Sequence, residues 1–297
     1  MEIKKSSVTV CLLCYVIWGS LAAYWNLLLG VNSMLILSAR VVFAFVFTFG
    51  PLLIAGRLHV FIDIIKDKAT MLYLAPASVL IIFNWGIYIW AVNSGRILDA
   101  SLAYYMNPLI NFVFATLVFR EKATRLQIAA IALAFTGVLI SVIAYGSFPY
   151  VSLILALSFA GYGVIKKKAH YDPVAGVAVE SLLLTPFALA FCLLFMADNI
   201  KAVSGAEALL LIGGGLVTVI PLVLYSLAVN ETPYIIVGFF QYISPSIQMI
   251  YGLVRGETLS EARLFSFVFI GLGLIVFSIA VVINHKKSKA LSSKPSA

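Results

Sequence analysis

The sequence predicts an all-α polytopic membrane protein: ten transmembrane helices built as two inverted five-helix repeats. Three observations carry this. Hydrophobic residues make up 63% of the 297 and charged residues 11%, against about 25% charged in a soluble domain. The apolar residues fall in runs long enough for a hydrocarbon core of about 30 Å, which takes roughly 20 residues of helix. The halves also repeat each other. Tyr88-x-x-Ala91-Val92-Asn93, Tyr105-x-Asn107-Pro108, Glu121 and Gly137 answer to Tyr225-x-x-Ala228-Val229-Asn230, Tyr242-x-Ser244-Pro245, Glu257 and Gly273. Asn to Pro is 15 positions in both copies and Glu to Gly is 16; only the Pro-to-Glu gap differs, 13 against 12. Short alternating segments of the barrel type are absent, and in lipid only helices or closed barrels satisfy their backbone.

The elements follow in order. Apolar segments run over roughly 8–29, 34–55, 70–92, 98–118, 126–144, 148–165, 176–197, 207–229, 234–254 and 263–284. The first follows Lys4 and Lys5, is too long for a signal-peptide core and lacks an A-x-A site, so it reads as a retained helix. A polar stretch over 57–68 carries Val60, Phe61, Ile64 and Ile65 on one face and is expected at the membrane interface. A basic connector is read over 166–176. Five spans per repeat is an odd number, so the second half enters the bilayer upside down. The expected units are 1–146 (first repeat), 147–285 (second repeat, inverted) and 286–297 (a basic, disordered cytoplasmic tail). Helix interruptions also correspond. Pro76 precedes Tyr88 by 12 positions, and Gly213, which opens Gly213-Gly214-Gly215, precedes Tyr225 by 12. Pro108 and Pro245 match as kinks, with freed carbonyls expected near Tyr104 and Gln241.

Charge sets the orientation. Lys4, Lys5, Arg57, Lys66, Lys68, Arg120, Lys122, Arg125, Lys166, Lys167, Lys168 and the tail lysines fall on one side; Arg96, Lys201, Arg255 and Arg263 fall on the other. The positive-inside rule then places both termini in the cytoplasm. The net charge of +8 does not indicate nucleic acid, because the cations sit in short loops and a tail rather than on one face. Cys11, Cys14 and Cys192 lie in apolar spans without polar context and read as packing residues.

Polar groups inside the spans mark the candidate site. The fourth segment carries Ser101, Tyr104, Asn107 and Asn111, the ninth Gln241, Ser244 and Gln248, each at helical spacing. Counted from Pro108 and Pro245, Tyr104 matches Gln241, Asn107 matches Ser244 and Asn111 matches Gln248. Such groups facing lipid would be costly, so two symmetry-related stripes imply one shared polar path; interhelical hydrogen bonding, at about 0.6 kcal/mol per pair, is the plainer alternative. Asn84 and Tyr88 share a face of the third segment, with Tyr225 answering in the eighth. Tyr15, Trp18, Tyr24, Trp85 and Tyr162 add aromatic surface suited to an amphipathic solute. Arg40 and Glu180 are intramembrane charges in repeat-equivalent segments, expected to face each other or a central cavity; Glu180 lies about a turn from the inner edge, so a snorkelling or structural role is its equal alternative. Asp99 opens the fourth segment and reads as its N-cap.

At these residues the chain resembles a known family. Asn84-Trp85-x-x-Tyr88-x-x-Ala91-Val92, Ser101-Leu102-x-Tyr104-Tyr105-x-Asn107-Pro108-Leu109, Phe119-x-Glu121, Ser158-Phe159-x-x-Tyr162-Gly163 and Gln241-Tyr242-Ile243-x-Pro245 are similar to the RarD family of EamA-type drug/metabolite transporters. Asp99 and Ala103 depart from its usual Glu and Gly. The resemblance implies a ten-helix, exporter-like carrier of the inner membrane with both termini cytoplasmic. It also implies a central cavity among the third, fourth, eighth and ninth helices, with the fifth and tenth peripheral.

The function expected is therefore secondary transport of a small organic metabolite or drug, outward, by alternating access between the repeats. The partners are that substrate and the lipid bilayer, with a proton gradient as a candidate and the oligomeric state open. The alternatives are an intramembrane enzyme acting on a lipid or isoprenoid, or a channel or receptor. The enzyme reading needs clustered acids or metal ligands, whereas Asp63 and Asp67 sit among lysines and His59, His170 and His285 are scattered. No metal, cofactor or catalytic residue is expected, and no ATP-binding loop is present.

Overall fold

The computed structural model describes residues 5–94, 96–256 and 260–292, leaving out the side chains of 5, 92, 93, 97–99 and 285–292. Asp99 and Glu257, both singled out above, are therefore outside the described side chains. The helices are α1 (Lys5–Trp25), α2 (Ser33–Ile54), α3 (Leu58–Lys66), α4 (Lys68–Asn93), α5 (Ile97–Leu117), α6 (Arg125–Tyr145) and α7 (Tyr150–Ala169), followed by α8 (Pro173–Phe195), α9 (Ala197–Ala202), α10 (Gly205–Glu231), α11 (Tyr234–Phe240), α12 (Ile243–Val254) and α13 (Glu261–Ser292). Among the described residues there is no strand. Among the described residues, eight helices are long and apolar enough to cross a membrane. The predicted fourth and ninth spans are not among them: α5 carries the Tyr104–Asn107–Asn111 stripe, and the ninth is divided into α11 and α12.

Interhelical contacts show how the chain alternates. At one end Ser7 donates to Glu231 at 2.7 Å and Arg57 pairs with Asp172 at 2.8 Å. At the other end Asn26 donates to the Tyr251 hydroxyl at 3.0 Å and Tyr24 to the Leu210 carbonyl at 2.6 Å. α1 runs from the first end to the second and α7 runs back, as two inverted halves require. Local chemistry sets the boundaries. Thr124 with Gln127, and Ser204 with Glu207, form capping boxes for α6 and α10, and Asp172 caps α8 with Pro173 at the first turn. α13 continues to Ser292, past the expected end at 284 and into the basic stretch read as disordered; lysines and alanine favour helix and suit a C-terminus.

Three local expectations are corrected. The face of α3 is not wholly given to lipid: Phe61 and Ile64 are buried against Leu52, Leu74, Ala175 and Val179, while Ile62 and Ile65 stay exposed. Gly213–Gly215 does not interrupt its helix. α10 is continuous, and the glycines admit close packing: a Cβ on Gly215 would lie 2.3 Å from that of Phe43 in α2. The ninth segment breaks rather than kinks. Pro245 offers Gln241 no amide hydrogen, so the Gln241 carbonyl accepts from Ser244 at 3.2 Å, while the Gln241 amide turns to Gly238 at 3.3 Å. α5 stays continuous through Pro108.

The matched glycines of the repeat sit in one interface. A Cβ on Gly137 of α6 would meet the Ser266 carbonyl at 2.7 Å, and one on Gly273 of α13 would meet the Ala130 carbonyl at 2.9 Å. Ser266 Oγ donates to the Gly137 carbonyl at 2.7 Å across the same crossing. Gly137→Val is therefore expected to destabilise the protein by about 1–3 kcal/mol through overpacking, read as a lower unfolding midpoint in detergent. An unchanged midpoint would mean that α6 and α13 part without cost.

Candidate functional site

A cavity of about 300 Å³ lies between the two halves. Arg40, Asn84, Tyr88, Tyr104 and Asn107 reach it from the first half; Gln241, Ser244 and Gln248 reach it from the second. Of the other predicted residues, Ser101, Pro108, Asn111, Tyr225, Pro245 and Glu180 are not among its walls. The lining residues of α1, α2, α4, α5 and α7 all lie in the halves of those helices nearest the Asn26–Tyr251 end. The cavity is thus displaced toward that end of the bundle.

Seven aromatic side chains stand in the walls, among aliphatic and polar ones. Trp18 approaches Phe159 at 5.7 Å and Tyr15 at 6.0 Å between ring centres, and Tyr88 meets Tyr104 edge-on at 6.0 Å. Tyr225 is fully buried behind Trp18, 5.5 Å away, in a cluster with Tyr162. Arg40 is held between two indoles, 4.7 Å from the Trp25 ring and 4.4 Å from Trp85, and its Nε donates to Thr218 at 3.0 Å. Each indole face contributes roughly 0.5–2 kcal/mol to holding the cation.

The floor is a chain of side-chain hydrogen bonds. Asn111 Nδ2 donates to Gln241 Oε1 at 2.8 Å, and the Tyr234 hydroxyl is shared between Asn111 Oδ1 at 3.0 Å and the Ala160 carbonyl at 2.9 Å. Gly238 lets α11 pass under Asn111, since a Cβ there would come within 2.5 Å. Asn111 thus belongs beneath the cavity rather than on its wall. Carbonyls near the prolines are engaged by the protein itself: that of Tyr105 accepts from the Tyr242 hydroxyl at 3.0 Å and that of Gln241 from the Ser244 amide at 3.2 Å, while Ser244 Oγ donates to the Tyr15 carbonyl at 2.7 Å.

Below the floor the end is closed. Arg120 takes a left-handed φ of 53°, and the turned chain delivers Glu121 to the start of α11. The Glu121 carboxylate accepts from the amides of Tyr234 at 2.6 Å and Ile235 at 2.9 Å. Lys167 lies 3.8 Å from Glu121 and donates to the carbonyls of Val229 at 3.0 Å and Thr232 at 2.7 Å. A carboxylate on a helix N-terminus and an ammonium on a C-terminus both match the helix dipole.

The expected Arg40–Glu180 pairing is not formed. Glu180 pairs with Lys166 at 2.7 Å, and it accepts from Tyr162 and Tyr171 at 3.0 Å each. Burial, then the charge of Glu180, holds the Tyr171 phenol well above its usual range, so it remains a donor. Lys166 is therefore no connector residue: α7 extends to Ala169, and the Lys166 side chain is fully buried. Sequence reasoning missed Lys166, the capping role of Glu121, and Trp25, Ser33 and Phe159 on the cavity wall. The Lys167–Glu121 contact alone had a signal, since each residue ends a span on the same basic side. Among the described residues no group of three His, Cys, Asp or Glu gathers as for a metal.

Comparison with known proteins adds a family. The model described as the EamA-like transporter family matches twice, over residues 5–143 and 149–279. An uncharacterized transporter of Pseudomonas aeruginosa is 40% identical, the match covering 90% of this chain and 91% of that protein. Protein RarD of Escherichia coli is 33% identical over 96% of this chain and 97% of its own length. One solved crystal structure has the same fold, with a TM-score of 0.73 at 15% identity, covering 93% of this chain and 98% of that one.

Proposed function

The chain belongs to the EamA-like transporter family, and from that premise we propose that it exports a small organic metabolite or drug through the cavity between its two halves. The repeats are 1–146 and 147–285, with the basic 286–297 as a tail, and the paired matches of the family model support those limits. The protein sits in the cell (inner) membrane with both termini cytoplasmic. The clustering of Lys and Arg at the Ser7–Glu231 end supports that orientation. The conformation described then faces outward, since the cavity lies toward the opposite end. Alternating access rocks one five-helix unit against the other. The break at Gln241–Tyr242 gives α11 and α12 freedom to move separately, which the continuous α5 lacks. A proton gradient is the candidate driving force.

The observation that carries this reading is that polar side chains of both halves, Tyr104 and Asn107 with Gln241, Ser244 and Gln248, meet at one cavity closed at one end. Cysteine substitution tests it. In a background without native cysteines, a Cys at 107 or 244 is expected to react with aqueous maleimide at least ~10-fold faster than one at exposed, lipid-facing Leu117. Transported substrate should slow the reaction. Inert positions 107 and 244 in a protein that still transports would place the pathway elsewhere. Uptake and efflux in proteoliposomes, across an amino-acid, nucleobase and amphenicol panel with and without a pH gradient, fix substrate, direction and coupling.

A further inference from the structure

Among the described residues that line the cavity, Arg40 is the one that carries a full charge at neutral pH. Among the described residues, its surroundings fix it without neutralising it. The indoles of Trp25 and Trp85 flank the guanidinium, and Nε is occupied by Thr218. No carboxylate pairs with it among the described residues, and Glu180, the acid on the repeat-equivalent helix, is taken by Lys166, Tyr162 and Tyr171. If the only task were to join α2 to α10, the Nε–Thr218 bond would perform it, and the two Nη groups would have no use there. Two residues of the wall each carry a buried polar atom without a partner: Tyr15 its hydroxyl, the residue being 1% exposed, and Asn107 its Oδ1, the residue being 4% exposed. A buried acceptor without a donor is costly, and Asn107 is a residue of the same cavity as Arg40.

Resting on the transporter reading above, we propose that the substrate is an organic carboxylate with a compact apolar or aromatic body. Its carboxylate docks on the Nη edge of Arg40, and a hydroxyl or amine donor on its body meets Asn107 Oδ1. The chemistry is specific. A guanidinium held flat presents parallel N–H groups that match both oxygens of a carboxylate. The aromatic part of the wall, Trp18, Trp25, Trp85, Tyr88, Tyr104 and Phe159, is suited to a planar apolar body. Low-dielectric walls strengthen the attraction and equally strengthen repulsion of an organic cation, so Arg40 selects by charge as well as binding. The space, about 300 Å³, is at the lower end of ligand pockets and favours a solute of one ring or a short chain.

The test uses purified full-length protein and its own tryptophan fluorescence, since Trp25 and Trp85 touch the guanidinium. The probes are 3-phenylpropanoate, 3-phenylpropanamide and 3-phenylpropylamine, which share a body and differ in charge. The carboxylate is expected to bind at least ~10-fold tighter than the amide, with the amine weakest. Arg40→Gln should abolish that preference while leaving amide affinity within roughly 3-fold, and Arg40→Lys should keep part of it. Equal binding of carboxylate and amide by the unaltered protein, tighter binding of the amine, or no saturable response to the carboxylate overturns the proposal even if Arg40→Gln does not fold. Protection of a Cys at 107 separates the two readings. If all three probes protect it equally, the cavity stands and the charge selection falls. If the carboxylate binds through Arg40 but is never moved across proteoliposomes, the carboxylate site stands and the transport reading falls.

Discussion

Lys166→Met is expected to destabilise the protein by about 3–5 kcal/mol, and Glu180→Gln in the same chain to recover most of that loss. The pair is 2.7 Å apart with side chains 0% and 5% exposed, so removing one partner leaves a charge where neither water nor lipid can solvate it. The surroundings favour the full ion pair. Tyr162 and Tyr171 both donate to Glu180, and the Lys166 ammonium lies 5.0 Å and 5.4 Å from their rings. Gly176 makes the arrangement possible, because a Cβ there would come within 2.0 Å of the Tyr171 ring. Replacing both ions removes the desolvation problem together with the attraction, which is why the double variant should approach the original. Unfolding midpoints of the four proteins in detergent complete the cycle; additive losses would show that the two charges do not depend on each other. The same cycle on Arg40 and Glu180 is expected to be additive, since each is held by other residues.

That contrast marks what the sequence could and could not disclose. Spans and the repeat are local properties: a run of apolar residues or a matched spacing is visible without knowing what packs on it. Polar stripes on two helices are visible for the same reason, and the structure brings Tyr104, Asn107, Gln241, Ser244 and Gln248 to one cavity. Pairing is different, because it depends on the rotation and depth of each helix. Lys166, Lys167 and Lys168 look alike in sequence, but successive residues on a helix point about 100° apart. One meets Glu180, the next reaches Glu121 and the end of α10, and the third is exposed. Pro108 and Pro245 also look alike. Both remove the same kind of hydrogen bond, yet α5 continues while the ninth segment breaks, where Asn111 binds the Gln241 side chain and Ser244 holds the Tyr15 carbonyl. These partners come from elsewhere in the chain, so the outcome is not written in the proline's neighbourhood. The RarD-like blocks identified the family because they preserve residue identities, which need no geometry.

Glu121→Gln is expected to loosen the closed end and so change which side of the membrane can reach the cavity floor. In the closed form the Glu121 carboxylate takes two backbone amides at the start of α11, and Lys167 binds the carbonyls at the end of α10. Hydrogen bonds to a charged group are each worth about 1.5–3 kcal/mol. A neutral carboxamide keeps one acceptor oxygen and turns an NH₂ donor toward the other amide, so at least one bond is lost and the Lys167 contact weakens. A loss of about 1.4 kcal/mol or more from the closed form alone shifts its balance with the alternate form at least tenfold. Unfolding stability is a poor readout, because the alternate conformation proposed above would remain folded. Accessibility is the direct one. A Cys at 111, beneath the floor, should react with a reagent supplied on the side of Lys167 about tenfold faster when Glu121 is Gln than when it is Glu. Lys167→Gln should act in the same direction, since Lys167 donates to the Val229 and Thr232 carbonyls and lies 3.8 Å from Glu121. The rate at 244, on the cavity wall and reached from the opposite side, should fall as that at 111 rises, because one movement closes one entrance as it opens the other. An increase at both positions would instead mean that the substitution has loosened the bundle as a whole. Unchanged rates at both would show that Glu121 merely caps α11 and does not hold the two halves shut.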